Sequence, residues 1–178
     1  MNVHRTQRFA HALAALLLTA LAGCGPTAIR SSPDAFPVPV GAADQLHGPQ
    51  TVALDNAYKS PTVEKFYDDL WAGDLKQYTD TAITLLSKAM AKKEITAAPQ
   101  ASKVVTLRVY DVRASPTWRA VGIALVLEAQ YADGTKSAIQ TENNLPLQLH
   151  ETYAVGNAIM SAVSRLLRDD QFLAYVNQ

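Results

Sequence analysis

The chain has 178 residues, of which 48% are hydrophobic and 18% charged, with one Cys and a formal net charge of zero. A length and composition of this kind fit one globular domain and exclude a disordered, collagen-like or disulfide-stapled protein. The zero balance averages over regions with different physics, and the first of them is the N-terminus.

Met1 to Arg8 carries Arg5 and Arg8 and no acid, and Phe9 to Ala22 is an almost unbroken Ala/Leu run. This order of a basic stretch, an apolar stretch and small residues before a cleavage point is that of a secretory signal. The apolar run is about 14 residues, short of the roughly 20 that a membrane-spanning helix needs. Its end, Leu21-Ala22-Gly23-Cys24, resembles the lipobox of bacterial lipoproteins. That resemblance implies removal of residues 1–23 and acylation of Cys24, which has no second Cys to pair with. Several acyl chains hold a protein at a bilayer where a single one is marginal. Gly25, in place of the Asp that marks inner-membrane retention in that family, implies the outer membrane, with the protein facing the periplasm. Loss of Arg5 and Arg8 leaves 14 basic against 16 acidic residues, a mature charge of about minus two. A weakly acidic body with a single basic doublet, Lys92-Lys93, argues against nucleic acid as a partner.

From Gly25 to Gln50 lie five of the nine prolines (Pro26, Pro33, Pro37, Pro39, Pro49) and few large apolar residues. Pro removes backbone donors, so residues 24–50 read as the lipidated N-terminus and a flexible linker. A second reading lays Phe36 to Val40 along the domain as an edge segment.

Residues 51–178 read as a single periplasmic domain. Thr51 to Leu54 is strand-like, and Thr62 to Tyr67 fits a short strand, although Val63, Phe66 and Leu70 also fit helical spacing. Trp71, Leu75, Tyr78, Ala82, Leu85, Leu86 and Ala89 recur every three or four residues, which predicts an amphipathic helix over Asp74 to Lys93. Asp74 to Gln77 has the form of a capping box. Lys103 to Val112 is rich in β-branched residues, and Val121, Ile123, Leu125, Leu127, Ala129 and Tyr131 alternate with smaller or polar neighbours as a half-buried strand. Ala114 to Thr117 predicts a turn between these two, and Asp133-Gly134 predicts a tight turn into Lys136 to Thr141. After Pro146 a second helix is expected over Leu149 to Leu167, with Tyr153, Gly156, Met160, Val163 and Leu167 inward. Asp169-Asp170 starts a short final helix carrying Phe172, Leu173 and Val176 inward. The expected fold class is α+β: a mostly antiparallel sheet of about four strands with two main helices on one face.

Chemistry-bearing residues are scarce. His47 and His150 are the only histidines after the signal, no Cys/His ligand spacing occurs, and no Gly-x-Ser-x-Gly elbow or phosphate-cradling glycine loop is present. We therefore expect no cofactor, no metal site and no enzymatic activity. Tyr110, Arg113, Trp118 and Arg119 are the candidate partner-binding residues, because aromatic and guanidinium groups near a hairpin end are common at interfaces. The alternative is that Trp118 caps the core edge and the arginines are solvated. Ala120, Gly122, Ala124 and Val126 form a small apolar strip on the face away from the core, where polar residues are usual. A partner, a second subunit or the Pro-rich segment could cover it.

The Val63-Glu64-Lys65-Phe66-Tyr67 run into Leu70-Trp71-Ala72-Gly73-Asp74-Leu75, with the helix after it, resembles the auxiliary lipoproteins of ABC-type lipid transport systems. The strand-turn-strand at Asp133-Gly134 and the ending from Ala162-Val163 to Tyr175-Val176 look equally like the YajG type of lipoprotein. Either resemblance implies a domain anchored through Cys24 that assists an envelope transport or assembly complex through a protein partner. The apolar faces of the sheet and helices leave open a carrier of a lipid or other apolar ligand.

Overall fold

The computed structural model describes residues 25–117, 119–146 and 151–178. The chain order is β1 (Thr27–Ile29), two single 3-10 turns (Pro33–Ala35 and Val40–Ala43), β2 (Gln50–Asn56), β3 (Val63–Phe66), β4 (Trp71–Asp74) and α1 (Leu75–Ala91). It continues with β5 (Ile95–Ala97), β6 (Lys103–Pro116), β7 (Ala120–Tyr131), β8 (Lys136–Pro146), α2 (Glu151–Leu166) and α3 (Asp170–Asn177). The α+β class holds, but the sheet is not a single antiparallel one of four strands. Five strands lie in the order β5-β2-β6-β7-β8 and three more in the order β1-β4-β3.

Both sheets are mixed. β6, β7 and β8 form the antiparallel meander that alternation foretells, whereas β2 pairs in parallel with both β5 and β6. β1 pairs in parallel with β4, and β3 with β4 antiparallel. β1 and β5 are three residues each, too short to carry a periodic signal, so their pairing rests on the neighbouring strand.

The core lies between the larger sheet and the helices. Val105, Leu107 and Val109 of β6 and all six alternating residues of β7 are buried, as are Tyr78, Ala82, Leu85, Leu86 and Ala89 of α1. Asp74 caps α1 by accepting from the Lys76 N–H at 3.0 Å. Its other bond, from the Thr62 N–H at 2.9 Å, ties the start of β3 to the same cap. The Asp133-Gly134 turn forms as expected: Gly134 sits at φ +87° and Asp133 accepts from the Thr135 N–H. Thr117 and Ala120, in place of Ala114 to Thr117, close the β6–β7 hairpin, because β6 runs on to Pro116.

α2 departs from its expected stripe. Tyr153 is 45% exposed and Met160 half-buried, while Ala154, Val155, Ala158, Ile159, Ala162, Val163, Leu166 and Leu167 are buried. The helix is apolar over most of its girth because it packs against β7, β8 and α1, and the segment after β1 touches it as well. Residues 147–150, including His150, fall outside the described residues.

That segment after β1 corrects the flexible-linker reading. Ile29, Phe36, Ala42, Ala43 and Leu46 are buried in the main core, and Val38 packs against it. The Tyr78 hydroxyl donates to the Ile29 carbonyl at 2.8 Å, and the Phe36 ring meets Tyr153 edge-on at 5.5 Å. Lys88 pairs with Asp34 at 2.8 Å and Lys93 with Asp44 at 2.9 Å. Each of these exposed pairs contributes little, about 0–1 kcal/mol. The docking is therefore held by the buried apolar groups. Proline is compatible with it because an irregular strap has no ladder to supply, and Pro33 opens a 3-10 turn where its missing donor is not needed.

Candidate interaction surface

The face of the larger sheet away from the helices carries Tyr110 and Arg113, with the small strip of β7 beside them. Tyr110 and Arg113 have opposite parity along β6, so a regular strand would send them to opposite faces. A bulge between them changes this: Tyr110 opposes Val126 and Arg113 opposes Ala124, leaving Asp111 and Val112 across from Leu125 alone. Asp111 takes φ +53° there, a conformation that Asp tolerates better than most residues. Val112 turns into the core at 2% exposure, and Tyr110 and Arg113 share the open face.

Their partners are local. The Arg113 guanidinium is bound in a fork by Asp111, with Nε at 2.8 Å and Nη2 at 2.9 Å from the carboxylate oxygens. The Tyr110 ring lies under the Arg108 guanidinium, 4.6 Å from its carbon. Arg108 also faces Glu128 across the strands at 3.3 Å, and Lys136 reaches the same carboxylate at 3.4 Å. The Arg108 Nε is buried and without a protein partner. Tyr58 donates to the Val109 carbonyl at 2.9 Å, and burial pushes its phenol up from its usual value. Glu64, on β3 beside the bulge, is likewise pushed up by burial, opposed by a hydrogen bond from the Val112 backbone and reinforced by the Asp111 charge.

The four expected contact residues are not one cluster. Arg119 is exposed in the hairpin turn, where its N–H faces the Thr117 hydroxyl, and Trp118 lies outside the described residues. Ala120 is six residues along β7 from the partner of Tyr110, a separation of roughly 20 Å at about 3.3 Å per residue. Tyr110 and Arg113 thus belong to the middle of the sheet and Arg119 to its far end. Cys24, the expected lipidation site, also lies outside the described residues.

The small strip on β7 has a physical reason that sequence could not supply. A Cβ on Gly122 would stand 2.6 Å from the Ser115 Oγ and 2.7 Å from the Asn144 Oδ1, so both flanking side chains lean over it. Gln140 and Glu142 of β8 oppose Val126 and Ala124. The result is a furrow of small residues between two rows of longer polar ones. The Pro-rich segment does not cover it, since that segment lies across the helices.

A second recess, of about 490 Å³, opens between the β3–β4 hairpin and the bulge, lined by Glu64, Tyr67, Asp68, Asp111, Arg113 and Ser115 among others. Among the described residues no group of three or more His, Cys, Asp or Glu side chains is placed to hold a metal. His47 is exposed, its backbone N–H bonded to the Asn177 side chain at 3.0 Å. No described helix is long and apolar enough to cross a membrane.

No protein-family model matches the sequence, and a search of curated proteins finds no match. Among solved structures, a Xanthomonas campestris protein of the family DUF330 aligns with 80% of this chain and 88% of its own, at 16% identity and a TM-score of 0.41. A protein described only as uncharacterized aligns with 81% of this chain and 95% of its own, at 14% identity and a TM-score of 0.37.

Proposed function

We propose that this protein is a non-catalytic lipoprotein, held at the periplasmic side of the outer membrane by acyl chains on Cys24, that serves as an accessory, partner-binding component of an envelope transport or assembly complex. The observation that carries the reading is Leu21-Ala22-Gly23-Cys24 at the end of a basic and apolar leader. The open sheet face, with Tyr110 and Arg113 brought together by the bulge, supports a protein partner, because aromatic and guanidinium side chains are the groups most used at interface centres. The carrier reading has less in its favour: the apolar faces of β7, α1 and α2 that raised it are packed against one another in one core.

The test has two arms. Incorporation of a labelled fatty acid by the wild-type protein, and its loss in Cys24→Ala, is expected for the anchor, while equal labelling or none in both contradicts it. Crosslinking in intact envelopes from a photoreactive residue at Arg113 is expected to give one reproducible adduct, absent when the residue is placed at exposed Lys59 instead. Identical patterns from the two positions contradict a specific surface.

A further inference from the structure

The docked strap moves the anchor point. β1 begins at Thr27, three residues after Cys24, so the acylated residue is within about 11 Å of the folded body even with the chain fully extended. Thr27 pairs with Trp71, and its N–H donates to the Leu70 carbonyl at 2.8 Å. The start of β1, from which the chain leads back to Cys24, is therefore held beside the β3–β4 turn.

That turn has the composition of a membrane-interface contact. Leu70 is 56% exposed, among the largest exposures of any big apolar side chain in the described residues. The Tyr67 and Trp71 rings stand 5.1 Å apart beside it, both half-buried, with Trp71 braced edge-on against buried Phe66. Trp and Tyr are the residues enriched at bilayer interfaces, where one end of the ring is apolar and the other wet. The turn is fixed: Tyr67, Asp68 and Asp69 all take positive φ, the Leu70 N–H donates back to the Tyr67 carbonyl at 2.9 Å, and β1 holds the outgoing side. Exposed Asp68 and Asp69 leave the tip acidic, with one counter-charge, Lys65, 3.9 Å from Asp69. This suits the ammonium of an ethanolamine headgroup and disfavours an anionic one.

We propose that the β3–β4 turn, Tyr67 to Trp71, is a second membrane contact, with Leu70 and the edges of Tyr67 and Trp71 seated among the headgroups of the bilayer that holds the acyl chains. The proposal rests on acylation of Cys24, since the short reach from that residue is what presses the turn against the surface. The domain then lies on the membrane in one orientation and does not swing on a tether.

The test uses the full protein purified with its native N-terminal modification and reconstituted into phosphatidylethanolamine-rich vesicles with brominated acyl chains. The mass of the N-terminal peptide reports the acyl groups, and the emission difference between wild type and Trp71→Phe reports Trp71 alone. Quenching and a blue shift of the Trp71 emission are expected. Leu70→Ser, at a site exposed enough to leave the fold intact, is expected to lower the ratio of seated to unseated protein by at least about tenfold, the equivalent of one buried leucine side chain. Quenching is also expected to fall as phosphatidylglycerol replaces phosphatidylethanolamine, and quenching that rises contradicts the headgroup assignment. Acylated protein with unquenched Trp71 overturns the contact and leaves the anchor standing; protein without acyl groups overturns both.

Discussion

Phe36 and Gly156 are coupled, and the coupling measures whether the Pro-rich strap belongs to the body. Gly156 lies within α2, and a Cβ built there would fall 1.9 Å from the Phe36 Cζ and 2.0 Å from its Cε2. Ordinary carbon contacts are about 3.5–4.0 Å, so Gly156→Ala requires the ring to retreat by roughly 2 Å. Phe36 is 6% exposed, and expelling it forfeits about 1.5–3 kcal/mol of burial plus about 0.5–1.5 kcal/mol from its edge contact with Tyr153. Against this, replacing a mid-helix Gly with Ala gains about 0.5–1 kcal/mol. The net expectation for Gly156→Ala is a loss of about 1–4 kcal/mol, and Phe36→Ala alone should lose about 3–5 kcal/mol. The double variant should be less damaged than the sum by at least about 1 kcal/mol, because truncating the ring to a methyl leaves room for the new methyl on α2. Urea unfolding gives the energies, and limited proteolysis reports whether residues 30–46 have become cleavable. A Gly156→Ala protein that is more stable than wild type, with unchanged protection of that segment, would refute the docking.

Three further substitutions or conditions test the same packing. Tyr78→Phe should lose about 1–3 kcal/mol, since the Ile29 carbonyl is left buried without its donor, and thermal or urea midpoints check this. Asp169→Ala should lose about 0.5–2 kcal/mol, because its carboxylate caps α3 by accepting from the Phe172 N–H at 3.0 Å; an unchanged midpoint contradicts that role. Burial pushes the Tyr131 phenol up to about 12 and Tyr78 higher still. A folded-state pKa above the unfolded value of 10.0 means that this contribution is intact below pH 10 and is lost as pH rises toward and through 12. Spectroscopic titration should therefore show a late tyrosinate step that coincides with unfolding.

Strong periodicity made part of this fold legible. The six alternating residues of β7 all face the core, α1 buries the stripe its spacing marks, and Asp169 opens α3 with Phe172, Leu173 and Val176 inward. The strap is legible only at Phe36 to Val40, because its anchors, Ile29, Phe36 and Leu46, are seven and ten residues apart in irregular backbone, where no period exists to detect. β4 has no separate periodic signal in the sequence, because Trp71 continues the stripe of α1. The better signal was Gly73, whose missing Cβ admits the Tyr78 ring: a Cβ there would lie 2.1 Å from the hydroxyl. The bulge at Asp111 carries no glycine to mark it, so parity alone would separate Tyr110 from Arg113. Position along β7, not composition, then sets Arg119 apart from them.

The anchor is what the functional account depends on most. Mass analysis of the N-terminal peptide, from protein purified out of the envelope, tests it directly. The account predicts a chain that starts at Cys24 and carries acyl groups on that residue; a chain that keeps residues 1–23, or starts elsewhere with Cys24 as a free thiol, contradicts it.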